Sequence, residues 1–173
     1  MDLGVLLYQL GEVWWALLPH LATESTHPET DLKKRGLQAL RVRLKAFYKE
    51  AKEQSKLKVR KVTLIKGKGP PRLKAKAGQA RALVAFTTEL AREFSGADGA
   101  LGMHRFQCME TLSGICELGK RDILTRDDLV RWRRLAAEHM FHYASAGFDA
   151  KPKFHYSQHL PQQVERGGVP RSF

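Results

Sequence analysis

Leu101–Gly119 reads LGMHRFQCMETLSGICELG, Thr125–Gly147 reads TRDDLVRWRRLAAEHMFHYASAG, and these two stretches decide the fold class. In the first, Met103, Phe106, Met109, Leu112, Ile115 and Cys116 recur at helical spacing and are available to a core. That periodicity predicts a helix over about 101–118, with Gly119 placed to stop it. In the second, Leu129, Trp132, Leu135, Ala136, His139 and Tyr143 form the inward stripe of another helix, ended by Gly147. Thr125 and Asp128, three apart at its start, read as a capping box in which Asp replaces the usual Glu.

Working outward, Ser95–Ala100 (SGADGA) is a break, and before it a helix of about 77–94 turns Leu83, Val84, Thr87, Leu90 and Phe94 inward. Val59, Val62, Thr63, Leu64 and Ile65 favour a strand, and Lys66–Arg72 (KGKGPPR) a turn or loop. Another helix opens at Thr30 or Asp31, either of which can cap it. Its apolar stripe is Leu37, Leu40, Leu44, Phe47, Tyr48 and Ala51, and aromatics so placed belong to a core. The first helix covers 1–18, with Leu3, Leu6, Leu7, Leu10, Trp14, Leu17 and Leu18 on one side. Pro19 is expected to end it, and the polar stretch to Pro28 to be a loop. Beyond Gly147, a short sixth helix is expected over 154–166, kinked or bounded at Pro161. The expected architecture is mainly α: an irregular bundle of five to six helices, one domain over 1–173, with one short extended or hairpin segment near residues 58–75.

The charge is concentrated. The chain of 173 residues has 30 Lys or Arg, 18 Asp or Glu and a formal net charge of +12. Residues 31–81 hold eighteen of those bases against three acids (Asp31, Glu50, Glu53), while the remainder holds 12 bases and 15 acids. A field that one-sided attracts polyanions, nucleic acid first. The bases placed for phosphate contact are Lys56, Lys58, Arg60, Lys61, Lys66, Lys68, Arg72, Lys74 and Lys76. Contacts to phosphate position a nucleic acid without reading its sequence. The glycines here make no phosphate loop, lacking both the Gly-Lys-Ser/Thr ending and a GxGxxG between strand and helix.

At 43% apolar the composition suits a soluble, globular, intracellular chain, and no apolar run is long enough to span a bilayer. The acidic start of the first helix, with no small-residue cleavage pattern, argues against a signal peptide. Cys108 and Cys116, eight apart on one helix, read as buried thiols. His139-x2-His142 and His155-x3-His159, twelve residues apart, have the spacing of a zinc finger with histidine in place of both cysteines. Their context does not fit, because the first pair ends a long helix where a finger needs a hairpin. These four remain secondary metal candidates, and no metal or cofactor is expected. Asp98, Asp122, Asp127, Asp128, Glu138 and Asp149 are the acids a metal-dependent nuclease would draw on. Helix first turns and loops account for most of them.

Lys151–Phe173 (KPKFHYSQHLPQQVERGGVPRSF) resembles a K-P-K-x-H-x-x-x-H-x-P segment of transposase-like reading frames derived from mobile elements. Leu73–Phe86 (LKAKAGQARALVAF) is similar to an upstream block of the same proteins. Gly168-Val169-Pro170 departs from their Gly-Pro turn. The resemblance implies a helical part of a cut-and-paste transposase with an RNase H-like core, whose metal-binding acid follows that turn. It carries over no catalytic residue, and implies a fragment of a longer frame. Lys153, His155, His159, Leu160 and Pro161 match the motif in a role as compatible with structure as with function.

The expected function is nucleic-acid binding, to DNA or RNA, by a mobile-element-derived protein without a complete active site, located inside the cell and compatible with the nucleus. Two alternatives stay open. One is a protein-interaction or structural helical module that docks a partner through the apolar first helix (Trp14, Trp15). The other is a remnant of a metal-dependent nuclease or transposase.

Overall fold

The computed structural model describes residues 3–23, 31–50 and 63–149. Among them are five helices and one two-stranded hairpin: α1 (Leu3–Thr23), α2 (Leu32–Glu50), β1 (Leu64–Ile65), β2 (Arg72–Leu73), α3 (Ala77–Glu93), α4 (Ala100–Leu118) and α5 (Arg126–Ser145). The mainly α expectation is therefore borne out, as is a short hairpin within the expected segment. The sixth helix of 154–166 and residues 58–62 of the extended segment lie outside the described residues.

α1 is the element around which the others assemble. It packs on α2, α3 and β2, α3 packs in turn on α4, and α4 on α5. Leu6, Leu10, Val13, Trp14, Leu17, Leu18 and Leu21 of α1 are all buried in the principal core. They meet Leu40 and Leu44 of α2, Leu73 of β2, Leu83, Phe86 and Leu90 of α3, and Met109 and Leu112 of α4. Trp14, one of the two tryptophans expected to offer themselves to a partner, is thus buried inside the chain, while Trp15 is half-buried. A second cluster of Ile115, Leu118, Trp132 and Ala136 welds α4 to α5. Among the described residues, no helix is long and apolar enough to cross a membrane.

Pro19 corrects one expectation. It lies inside α1 instead of ending it. A proline in a helix removes one backbone hydrogen bond and crowds the preceding turn, at about 3 kcal/mol. Pro19 sits on the exposed side, and the turn after it buries Leu21 and Ala22 completely. Burying Leu21 returns about 1.5–3 kcal/mol and the Ala22 methyl about 0.8 kcal/mol, which together offset the proline's cost. Met103 is a second correction: it is 45% exposed and takes no part in the core.

Other starts and stops follow local chemistry. Asp31 Oδ1 accepts from the backbone N–H groups of Lys33 at 2.9 Å and Lys34 at 3.2 Å, capping α2 as its position predicts. Thr125 Oγ1 accepts from Asp128 N, and Asp128 Oδ2 from Thr125 N, both at 3.1 Å, so the capping box of α5 is complete. Gly36 marks where α2 crosses α1: a Cβ there would overlap the Leu18 carbonyl oxygen. Gly11 plays the same part for the hairpin, since a Cβ there would stand 2.6 Å from the Pro71 carbonyl oxygen.

Candidate functional site

That close approach at Gly11 fixes β2 against α1 and so decides what surrounds the hairpin. β1 and β2 pair antiparallel, Leu64 with Leu73 and Ile65 with Arg72. In a strand pair the side chains alternate, so Leu73 turns into the core while Arg72 faces outward. Lys66, Lys68, Lys74 and Lys76 are exposed along with Arg72. Residues 63–76 contain no acid at all, and among the described residues none of the five cations meets a carboxylate.

Two aromatic rings of α1 lie under this basic hairpin. Tyr8 and Trp15 are seven residues apart, two helical turns, and so lie on one side of the helix. Both are half-buried, unlike the fully buried Trp14. The Lys33 ammonium stands 4.2 Å from the Trp15 ring centroid and that of Lys66 5.5 Å. The Arg72 guanidinium is 5.8 Å from the Tyr8 centroid. Each is within cation–π range, worth about 0.5–1 kcal/mol at an exposed site. These contacts bring cations from α2 and from the hairpin together over α1. On α2, Lys33, Lys45 and Lys49 are exposed as well.

Of the predicted phosphate-contacting residues, Lys66, Lys68, Arg72, Lys74 and Lys76 are thus exposed on one hairpin and the turn into α3. Lys56, Lys58, Arg60 and Lys61 lie outside the described residues. Sequence reasoning missed Tyr8, Trp15 and Lys33 as members of the site. The available signal was negative: Tyr8 and Trp15 fall off the Leu6–Leu10–Trp14–Leu17 stripe, two turns apart, on the side left for solvent.

The histidine candidates are separated. His139 is in the core, where the only geometry consistent with its partners is one tautomer. Its Nδ1–H donates to the Cys108 carbonyl at 3.0 Å, and Nε2 accepts from the Gln9 amide at 2.6 Å. Burial pushes its pKa down to about 4, so the ring is neutral and satisfied. His142 turns away to α4, with its Nδ1 3.0 Å from Nδ1 of His104. Burial and then the His104 ring lower its pKa. His155 and His159 lie outside the described residues. Among the described residues, no group of three or more His, Cys, Asp or Glu could hold a metal ion.

Two of the six acids are committed to local partners. Asp98 accepts from Arg105 and, at 2.9 Å, from His20 Nε2. Burial works to raise its pKa, and those two hydrogen bonds outweigh it to hold the group below the ordinary Asp value. Asp128 is held low first by the backbone N–H of Thr125 and then by the Thr125 hydroxyl and Arg121. Both acids serve the fold. Burial raises the Cys108 thiol, with Glu12 adding to the effect, and pushes Cys116 up to about 11. Neither is a nucleophile at neutral pH. A cleft of about 230 Å³ between α3 and α4, lined by Arg81, Ser113, Cys116, Glu117 and Lys120, is below the size of usual small-molecule sites.

Comparison with known proteins gave no match to a family model, to a curated protein or to a solved structure.

Proposed function

We propose that this chain binds nucleic acid through its hairpin, contacting phosphates with Lys66, Lys68, Arg72, Lys74 and Lys76. Lys33 on α2 extends the surface. The observation that carries the reading is the placement of these cations: five exposed bases in a segment without an acid, of which Lys66 and Arg72, with Lys33, stand over rings of α1. Some bases elsewhere among the described residues are matched to acids, as Arg43 is to Glu93 in a two-bonded pair at 2.5 and 2.9 Å. An unmatched basic face attracts the polyanion that matches it.

The reading favours a binding protein over a nuclease: two of the acids a nuclease would draw on, Asp98 and Asp128, are engaged in ion pairs and a helix cap. Its origin in a transposase-like reading frame is part of the proposal and rests on the resemblance of Leu73–Phe86 and Lys151–Phe173. An intracellular, nuclear location goes with that partner.

Salt titration tests it. Each phosphate neutralised contributes about −0.9 to the slope of log affinity against log salt on duplex and about −0.7 on single strands. Five contacts therefore predict a slope between about −3.5 and −4.5. Lack of any DNA or RNA retention at about 50 mM salt would dispose of the proposal.

A further inference from the structure

We infer that Tyr8 and Trp15 form a stacking platform, and that the favoured ligand is single-stranded nucleic acid whose bases lie on these rings. The inference rests on the proposed phosphate contact by the hairpin and names the form of ligand that the same surface takes.

Two observations lead to it. The rings are half-buried side by side along α1 while their neighbours Leu6, Leu10, Trp14 and Leu17 are wholly buried. An aromatic pair kept at the surface among cations differs from one closed in a core. The cations also stand where phosphates would follow a stacked base: Lys33 and Lys66 at 4.2 and 5.5 Å from Trp15, and Arg72 at 5.8 Å from Tyr8. Aromatic rings interleaved with a basic track are how non-specific single-strand binding works, since every base offers a π face.

In the free chain the lysine ammonium groups occupy the neighbourhood of the Trp15 ring. Lysine is a point charge on a flexible stem. On binding, Lys33 and Lys66 swing from the ring to phosphates, and a base takes the vacated face. Two helical turns separate the rings by about 10 Å. The β2 backbone lies on Gly11 between them, so each ring stacks a base of its own. In a duplex the base faces are already stacked on one another, so the rings would be left without a ligand and only the phosphate contacts would remain.

The full chain is titrated with labelled oligothymidylate and oligouridylate of about 15 nucleotides and with a duplex of the same length, at low salt. Trp15→Ala and Tyr8→Ala are expected to weaken single-strand binding by about 5- to 150-fold each and to leave duplex binding within about twofold. Oligothymidylate is expected to quench tryptophan emission, because Trp14 and Trp132 are buried and Trp15 is not. Trp15→Phe should abolish that quenching and restore most of the affinity, and it decides the question if Trp15→Ala does not fold. Comparable thymidylate and uridylate affinities fit stacking, whereas an absolute requirement for one of them overturns it. Equal losses on single strand and duplex, or no loss on either while Lys68→Ala and Lys74→Ala still weaken both, overturn stacking and leave the phosphate reading standing. Absence of wild-type binding to every probe removes both.

Discussion

The α4–α5 pair and the hairpin on α1 use charge in opposite ways. Around α4 and α5, Arg105 and His20 close on Asp98, Arg121 on Asp128, Lys120 on Glu117 at 2.6 Å and Arg134 on Glu138 at 3.7 Å. Several charges there are paired with opposite charges of the same chain. At the hairpin, Lys66, Lys68, Arg72, Lys74 and Lys76 have no acid in their own segment, and Lys66 and Arg72 stand over aromatic faces. On the proposed reading, the first region serves stability and the second keeps its charge for a nucleic acid. A variant in the one should therefore move unfolding and leave binding alone, and a variant in the other should do the reverse.

The largest effect that can break this division is at Trp132, which is 1% exposed among Ile115, Leu118 and Ala136. Trp132→Ala is expected to cost about 3–5 kcal/mol of unfolding free energy by urea denaturation. The fraction still folded should bind with an unchanged salt slope. A lost slope would show that the hairpin depends on α4–α5 in a way the comparison denies.

Next in size is pH. His139 has a folded pKa lowered to about 4 by burial, below the roughly 6.5 of an unfolded histidine. Between those values the unfolded chain binds the extra proton, so stability rises with pH across that window. It is complete above about pH 6.5 and is lost progressively down to about pH 4, on the order of 3 kcal/mol in all. Asp98 and Asp128, whose pKa values are lowered, add a further loss as pH falls below the ordinary carboxylate range. Urea midpoints that stay flat from pH 7 to about pH 4.5 would contradict the buried neutral imidazole.

A smaller effect sharpens the comparison. Thr125→Ala removes the hydroxyl that accepts from Asp128 N, and should cost about 1 kcal/mol, read as a fall in thermal midpoint. Nucleic-acid affinity should not change, because the cap is remote from the hairpin cations in chain and role.

How much of this was legible beforehand depends on whether the signal is local. Thr125 with Asp128, and Asp31 before α2, reveal themselves because a cap needs only residues three or four apart. His139 was placed inward correctly because its stripe is long and periodic. Pro19 was misread because its local penalty is overruled by Leu21, which is buried against elements distant in sequence. Met103 was misread because helical spacing allows a residue to face the core without saying that a neighbour covers it. Trp15 and Tyr8 became a site only when Gly11 let β2 lie on α1, and a tertiary approach of that kind leaves no periodic trace. The basic residues of the hairpin were visible at once, since charge imbalance is read by counting. What surrounds them required the fold.

The most direct test compares the wild-type chain with the combined variant Lys66→Ala, Lys68→Ala and Arg72→Ala. Affinity for duplex and single-stranded oligonucleotides is measured as salt rises from about 50 to 200 mM. With the fold intact, and stability lowered by no more than about 1–2 kcal/mol for the two cation–π contacts that Lys66 and Arg72 lose, the log–log slope should become shallower by about 2–3. A variant that binds with the wild-type slope would contradict the assignment of the hairpin as the surface that meets phosphate.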